Sequence, residues 1–216
     1  MLTVRSNLAL ACALSALAGY VDGIGFIHLS GLFISFMSGN STRLGVMIAE
    51  FNWPKALEAL KLIALFVVGA GLGSLIGHGR GRHRRWILLL AEAILLGAGA
   101  TAYELDLSGY TVVAVVLAMG LENAMFQAEG GTTGIALTYM TGTLVRIGQL
   151  LAVALQGGPR LAWFPHLLLW SAMVTGAAIG TTAYLHVHLA AVWFAAGAAL
   201  LIAAIVGLAA WRKPAR

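Results

Sequence analysis

The sequence predicts an all-α integral membrane protein, and its composition, its glycine content and an internal repeat lead to that fold class. Of the 216 residues, 60% are hydrophobic and 10% are charged, whereas charged residues make up about a quarter of a soluble domain. The mean hydropathy is +0.91. The 27 glycines suit helices that pack closely in lipid through small side chains. We therefore expect a helical bundle whose main partner is the lipid bilayer.

Eight apolar segments can be marked along the chain, and several have the roughly 20 residues that a spanning helix requires. They cover residues of about 8–27, 32–50, 56–77, 86–103, 110–127, 134–156, 165–185 and 189–210. The first follows Arg5 without a clear small-residue cleavage site, so it is interpreted as a retained helix. Pro54 and Pro159 each fit the first turn of a helix, where a missing N–H has no partner to lose.

The second half of the chain repeats the first. FMSGNSTRLG at 36–45 matches YMTGTLVRIG at 139–148, and GYVD at 19–22 corresponds to GLEN at 120–123. VVGAGLGS, which begins at Val67, likewise matches VTGAAIGT, which begins at Val174. The sequence therefore predicts two homologous membrane repeats, 1–106 and 107–216, that form one transmembrane domain.

Two topologies are consistent with this repeat. If all eight segments span, the halves are parallel, and the arginine run at 80–85 lies across the membrane from Arg5 and the basic C-terminus, which conflicts with the positive-inside rule. If the second segment of each half is broken and re-enters, the halves are inverted repeats with six spans, and both termini face the cytoplasm. Segment length favours eight spans, because 19 residues of straight helix cover about 28 Å. Charge favours the inverted arrangement, which we prefer.

The two matching phrases, 36–45 and 139–148, each place an arginine within apolar sequence. A guanidinium at membrane depth costs at least about 2.5–3.5 kcal/mol unless it is paired or wetted. Broken helices at a repeat interface are also where secondary transporters bind substrates. The alternative is that the small polar residues pack helices and that each arginine is a buried strut or snorkels to an interface. The candidate substrate-binding residues are Ser38, Gly39, Asn40, Ser41, Thr42, Arg43, Thr141, Gly142, Thr143 and Arg146.

Three acidic residues in apolar segments are candidates for proton coupling or for counter-charges to the arginines. Asp22 and Glu122 lie near the ends of the first segment of each half, and Glu92 lies in the fourth segment. Hydrocarbon disfavours the charged form of a carboxyl group, whereas a nearby arginine favours it. That balance suits a group that exchanges a proton. The alternative for Asp22 or Glu122 is a permanent ion pair with an arginine that fixes the packing.

Several function classes lack their motifs. The sequence has no Walker loop, nucleophile elbow, zinc-protease helix or paired-cysteine motif, and its six histidines show no metal-ligand spacing. We therefore expect no enzyme activity, no cofactor and no metal site. The positive charge lies in short connections and at the C-terminus, so it indicates topology and not nucleic-acid binding. The small-residue faces 69–73 and 176–180 could form a homodimer or pack the two halves together.

AGYVDG at 18–23, FMSGNS at 36–41 and RLG at 43–45 resemble the YoaK-type family of bacterial inner-membrane proteins, whose domain has no assigned function. Ser38 stands where the family pattern has threonine, which keeps the hydroxyl. The resemblance covers nearly the whole chain and implies a multi-span protein of the bacterial cytoplasmic membrane; it implies no substrate.

The residues and the resemblance together predict a small secondary transporter or permease for a small anionic or polar solute, with proton exchange at the acids. The alternative is a structural or regulatory membrane subunit that transports nothing.

Overall fold

The computed structural model describes residues 4–78, 83–126 and 140–211. Over these ranges the chain forms α-helices and short 3-10 turns, and the described residues include no strand. The prediction of an all-α membrane protein is confirmed. The helices are α1 (Val4–His28), α2 (Met37–Ala49), α3 (Trp53–Gly77), α4 (Arg84–Glu104), α5 (Ser108–Glu122), α6 (Met140–Leu155), α7 (Phe164–Val187) and α8 (Val192–Trp211).

Five helical stretches are long and apolar enough to cross a membrane: Asn7–His28, Trp53–Gly77, Arg84–Glu104, Ser108–Met125 and Phe164–Trp211. The last contains two helices, because the 3-10 turn His188–Ala191 separates α7 from α8 and His188 has a φ of 51°. As one straight helix, its 48 residues would extend about 72 Å, more than twice the hydrocarbon thickness of about 30 Å. By length, α7 and α8 can each cross.

Helices α2 and α6 are shorter than a span. They contain 13 and 16 residues, which correspond to about 20 and 24 Å. The expected segment at 32–50 is not one helix, because residues 29–36 form a turn and loop before α2. Ser30 and Gly31 both have positive φ values, 52° and 100°, and this left-handed backbone ends α1 and reverses the chain. The first six residues of the expected segment 134–156 lie outside the described ranges.

The interruption of the segment 32–50 ends where the first phrase begins. Gly39 lies in the first turn of α2, and the non-helical stretch precedes Met37. Position 39 has no room for a larger side chain, because a Cβ on Gly39 would come within 2.6 Å of the Phe36 ring and 2.9 Å of the Phe33 ring. Gly142 lies within α6, close to the first residue of that helix that the structure describes. Gly39 therefore sits at a helix start, and neither glycine interrupts the helix in the described residues.

The bundle interior contains two apolar clusters, one toward each end. The loop-side cluster includes Leu32 and Ile34 of the α1–α2 loop, which we define as residues 29–36. The basic-side cluster includes Leu88 and Leu89, close to the arginines that begin α4. Helix α1 contributes its earlier residues to the basic-side cluster and its later ones to the loop-side cluster, and α5 does the reverse. Helices α1 and α5, which the sequence repeat equates, therefore run in opposite directions.

Glycines allow the backbones of α1 and α7 to touch. A Cβ on Gly176 would collide with the backbone carbonyl of Ala16, and one on Gly180 with that of Tyr20. The Tyr20 hydroxyl also donates a 2.9 Å hydrogen bond to the carbonyl of Ala191, which ties α1 to the turn after α7. The two helices consequently pack along most of their length.

The α3–α5 interface uses the same kind of contact. A Cβ on Gly69 would collide with the carbonyl of Leu117, and one on Gly73 would lie 2.8 Å from the carbonyl of Leu121. The sequence repeat equates Gly69 with Gly176 and Gly73 with Gly180. It equates their partners Leu117 and Leu121 with Ala16 and Tyr20. The small-residue faces 69–73 and 176–180 thus pack helices within one chain, so the contacts on these faces give the expected homodimer no support.

Candidate functional site

Asp22 fixes the α1–α2 loop. Its carboxylate is 4% exposed; Oδ1 accepts hydrogen bonds from the backbone N–H groups of Ile34 at 2.8 Å and Ser35 at 2.6 Å. Oδ2 accepts a bond of 2.6 Å from the Ser35 hydroxyl. A buried non-helical loop leaves backbone donors that need partners. Asp22 supplies these partners and accepts hydrogen bonds from three donors of the loop.

Asn40 holds the same loop from the other side. It is fully buried; its Oδ1 accepts from the N–H of Phe33 at 2.8 Å, and its Nδ2 donates to the carbonyl of Phe33 at 2.7 Å. Only a side chain with both a donor and an acceptor can make this pair. The first phrase therefore contributes a buried amide whose function in the fold is to bind the loop.

Arg43 lies against the turn at the end of α1. Its Cζ is 5.6 Å from the centroid of the Phe26 ring, and a Cβ on Gly31 would come within 2.6 Å of its Nη1. This is cation–π geometry at a half-buried position. The structure does not bring Arg43 to Asp22, whose partners in the described chain all come from the loop.

The remaining residues of the first phrase face outward. The Ser41 hydroxyl donates to the carbonyl of Met37 at 2.8 Å, and the Thr42 hydroxyl donates to that of Ser38 at 3.2 Å. Ser38, Ser41 and Thr42 are exposed, so their hydroxyls lie on the surface of α2 and are accessible there.

The second phrase lies on α6, which packs against α7, whereas α2 packs against α3. Thr141 and Arg146 are exposed, and Gly142 and Thr143 are half-buried. Arg146 Nη1 makes a long contact of 3.5 Å with Gln149 Oε1 on the same helix. The two phrases therefore lie on different helix pairs.

Four side chains, those of Ser15, Glu92, Thr111 and Glu122, have buried oxygens without a hydrogen-bond partner among the described residues, and all of them except Thr111 lie where the two apolar clusters meet. Ser15 of α1 and Glu92 of α4 are 0% exposed, and Glu122 of α5 is 1% exposed. Buried polar atoms in folded proteins almost always have a partner. Five oxygens from three helices lack one here: a hydroxyl and both oxygens of each carboxyl group. We call Ser15, Glu92 and Glu122 the acid layer.

The acid layer lies where the loop-side cluster meets the basic-side cluster. In α1 the change of cluster occurs between Leu14 and Leu17, in α4 between Leu89 and Ala93, and in α5 between Met119 and Leu121. Ser15 and Glu92 fall within these intervals, and Glu122 follows directly after the third. The layer is thus a polar cross-section between two apolar halves of the bundle.

Carboxyl groups lie near one another in this part of the bundle. When they are ionised, Glu92 and Asp22 repel a negative charge on Glu122. An ionised carboxylate that is buried without a partner costs several kcal/mol, and two such groups near each other cost more. The acid layer is therefore suited to hold a positive charge, either as a proton on a carboxyl group or as a bound cation.

Arg84 lies near the end of α5 that carries Glu122. Its Nη2 donates a 2.6 Å hydrogen bond to the carbonyl of Ala124, which is among the last carbonyls of that helical stretch.

In the part of the chain that the structure describes, no group of three or more His, Cys, Asp or Glu side chains is arranged to hold a metal ion.

Sequence reasoning missed two residues of these sites. Ser15 has no neighbouring polar residue that marks it, because it lies in the run ACALSALAG of α1. Ser35, which makes two of the three bonds to Asp22, lies just before the first phrase. Its position between apolar neighbours in a segment expected to be helical concealed its role in the loop.

A family model described as "Protein of unknown function (DUF1275)" matches residues 10–205. The chain belongs to the DUF1275 family. The DUF1275 match includes the acid layer, the loop held by Asp22, and both phrases. The predicted resemblance to YoaK-type proteins is confirmed.

Two curated relatives agree with membership of DUF1275. The chain is 35% identical over 212 residues to "UPF0700 transmembrane protein RA0705" of Rhizobium meliloti (strain 1021), which covers 97% of this chain and 88% of that protein. It is 26% identical over 138 residues to "UPF0700 transmembrane protein YoaK" of Bacillus subtilis (strain 168), which covers 60% of each chain. No solved structure matches. With the apolar helices described above, these names place the chain among multi-pass transmembrane proteins.

Proposed function

We propose that this protein is a small secondary permease for a small anionic or polar solute, with protons exchanged at its buried acids. The acid layer carries the proposal, because two wholly buried carboxyl groups have no hydrogen-bond partner among the described residues. Such groups are expensive in a membrane and mark ion or proton pathways when they occur. The proton carriers are Glu92 and Glu122, and Asp22 links them to the α1–α2 loop.

The two phrases supply the proposed solute contacts. The hydroxyls of Ser38, Ser41 and Thr42 are exposed, so a solute can reach them. They lie in the first turns of α2, where the helix dipole favours negative charge. Arg43 lies on the same helix, and Arg146 with Thr141, Gly142 and Thr143 offers the corresponding contacts on α6. We assign anion selectivity to the two arginines.

Inverted halves would provide the moving parts. We propose that 1–106 and 107–216 are inverted repeats that rock against each other, as in other secondary transporters. Two observations support this: α1 and α5 run in opposite directions, and the contacts at Gly69 and Gly176 involve repeat-equivalent partners. Helices α2 and α6 are then re-entrant, and six helices span.

The proposed orientation places both termini in the cytoplasm of a bacterial cell, with the protein in the inner membrane. The positive-inside rule supports it. Reporter fusions test it: a fusion after Trp211 should be active only with a cytoplasmic reporter, and a fusion after Asp106 only with a periplasmic one. The opposite result at both sites would overturn the orientation, and a cytoplasmic result at both would overturn the odd number of spans per half.

Transport can be tested with purified protein. A thermal-shift screen of small inorganic and carboxylate anions comes first, and any stabilising anion is then loaded into proteoliposomes that contain a pH-sensitive dye. We expect solute flux with proton movement, loss of flux in Arg43→Ala and Arg146→Ala, and loss of the proton movement in Glu92→Gln. Lys55→Gln, an exposed charge outside both phrases, should leave both signals intact. Flux that persists unchanged in both arginine variants would exclude the proposed solute site.

A second candidate, a membrane subunit with a structural or regulatory role, is favoured by one observation. Asp22 and Asn40 direct their polar atoms to the backbone of the α1–α2 loop, which is a structural use. This candidate predicts that Asp22→Asn and Arg43→Ala lower thermal stability while no small solute stabilises the native protein. Any solute that raises the melting temperature of native protein but not of Arg43→Ala would exclude it.

A further inference from the structure

We infer that Ser15, Glu92 and Glu122 form a binding site for a small dehydrated monovalent cation. The inference rests on the proposed function for the use of that ion in transport, and it names the class of the coupling ion. Binding itself follows from the geometry of the acid layer and can be measured without any flux.

The five unpartnered oxygens provide the ligand set. The Ser15 hydroxyl and the four carboxyl oxygens of Glu92 and Glu122 are buried and lack a hydrogen-bond partner among the described residues. They come from α1, α4 and α5, and all three residues lie where the two apolar clusters meet. Hard cations take oxygen ligands of these types. One ion between the helices would satisfy groups that the protein leaves unbonded.

Charge selects a cation. When they are ionised, Glu92 and Asp22 repel a negative charge on Glu122, so an anion would add to this repulsion whereas a cation reduces it. Two carboxyl groups and one hydroxyl are too few for a dehydrated divalent ion, since Ca²⁺ takes six to eight oxygens and Mg²⁺ keeps several waters. The matching ion carries one positive charge and is satisfied by the five oxygens of the acid layer, as Na⁺ is.

Packing limits the size of the ion. Helices α4 and α5 approach closely, since a Cβ on Gly99 would lie 3.2 Å from the carbonyl of Thr111. Leu88, Leu89 and Leu96 are 0% exposed and fill the space on either side of Glu92 along α4. An organic cation would have to displace these side chains, whereas a bare ion need not.

Thermal unfolding of the full-length protein in detergent tests the site, with Na⁺ as the probe. Melting is recorded in NaCl, KCl and choline chloride at the same ionic strength and pH. A ligand that binds only the native state stabilises it by mass action, so we expect Na⁺ at about tenfold its dissociation constant to raise the midpoint by about 3 °C or more over choline. Glu92→Gln and Glu122→Gln should lose this shift. Ser15→Ala should need at least about tenfold more Na⁺ for the same shift, because a lost charge-assisted contact costs about 1.5–3 kcal/mol.

Two variants provide matched controls. Thr111 also carries a buried hydroxyl without a partner in the described chain, but it lies on α5 three turns from Glu122, so Thr111→Val should keep the full Na⁺ shift. Glu104→Gln removes an exposed carboxylate from α4 and should also keep it. If the Glu variants fail to fold, binding of radioactive Na⁺ to native protein, measured with Ser15→Ala and Thr111→Val, decides instead.

Equal midpoints in NaCl, KCl and choline chloride, together with no Na⁺ binding, would overturn the cation site. A Na⁺ shift that survives in both Glu92→Gln and Glu122→Gln would place the ion elsewhere and overturn the assignment. The two proposals fail separately. Na⁺ binding without solute flux would exclude the permease and keep the site, whereas solute flux without Na⁺ binding would exclude the site and keep the permease.

Discussion

Asp22 holds Ser35 through two hydrogen bonds, from the backbone N–H to Oδ1 and from the hydroxyl to Oδ2, each 2.6 Å long. Ser35 has no regular secondary structure of its own, so these bonds determine where the chain goes between α1 and α2. The bonds also connect an acid of α1 to the loop that joins α1 to α2. Any change in the charge of Asp22 therefore reaches the α1–α2 loop directly.

Asp22→Asn should loosen the α1–α2 loop. The amide can still accept one backbone N–H, but its NH₂ group replaces an acceptor, and the remaining bonds lose their charge assistance. Hydrogen bonds to charged groups contribute about 1.5–3 kcal/mol, so we expect a loss of about 1–3 kcal/mol in unfolding free energy and faster proteolysis near Ser35. Denaturation in detergent measures the first and timed digestion the second. Asp106→Asn, at an exposed turn, should change neither; equal digestion rates for Asp22→Asn and native protein would contradict the role assigned to Asp22.

Asn40→Asp should destabilise the protein as much as Asn40→Ala or more. The carboxylate can accept from the N–H of Phe33, but it cannot donate to the carbonyl of Phe33, which the amide contacts at 2.7 Å. It would also bury an unpaired charge, whereas alanine only leaves two backbone groups unbonded. We expect losses of about 2–4 kcal/mol, measured by thermal melting. Thr42→Ala, an exposed hydroxyl on the same helix, should stay within about 0.5 kcal/mol.

Glycine-to-alanine substitutions at the close helix contacts should lower the stability of the protein equally in both halves. Gly69→Ala and Gly176→Ala each place a methyl group against a backbone carbonyl of a neighbouring helix, and overpacking of this kind costs about 1–3 kcal/mol. Gly71 is the matched control, because nothing lies within 4 Å of a Cβ built there, so Gly71→Ala should lose no stability. Melting curves of the three variants measure the difference. A tolerated Gly176→Ala beside a damaging Gly69→Ala would contradict equivalent interfaces.

Substitution of Arg43 and of Arg146 should change the stability of the protein by different amounts, even if both arginines bind a solute. Arg43 stacks on Phe26 at 5.6 Å, and such a contact is worth about 0.5–2 kcal/mol, so Arg43→Leu should lower stability by that amount. Arg146 is exposed, and its contact with Gln149 is long, so Arg146→Leu should stay within about 0.5 kcal/mol. Chemical denaturation of the two variants measures this. A larger loss at Arg146 than at Arg43 would reverse the roles that the structure indicates.

Particular residues show how far the sequence leads. Composition and segment length predict the membrane class and most helices, because the hydrocarbon core requires long apolar stretches whose backbone bonds are satisfied internally. The acids Asp22, Glu92 and Glu122 stand out because carboxyl groups are rare in such stretches. The start of α2 does not stand out, because Leu32 to Phe36 are as apolar as a helix requires. What prevents a helix there is the left-handed backbone at Ser30 and Gly31, together with hydrogen bonds from distant side chains.

The sequence by itself determined the fold class and the list of polar residues in apolar surroundings, and it predicts two repeats. The tertiary structure decided which of them meet. Arg43 and Asp22 have opposite charges and lie only 21 positions apart in the sequence. They contact different partners, because hydrogen-bond donors of the loop occupy the oxygens of Asp22. Ser15, Glu92 and Glu122 are far apart along the chain. They share one cross-section because the bundle packs the middle of α1 and of α4 level with the end of α5. Spacing along the sequence determines which residues are neighbours on one helix. Proximity between helices depends instead on their alignment, which close contacts such as those at Gly69 and Gly176 set.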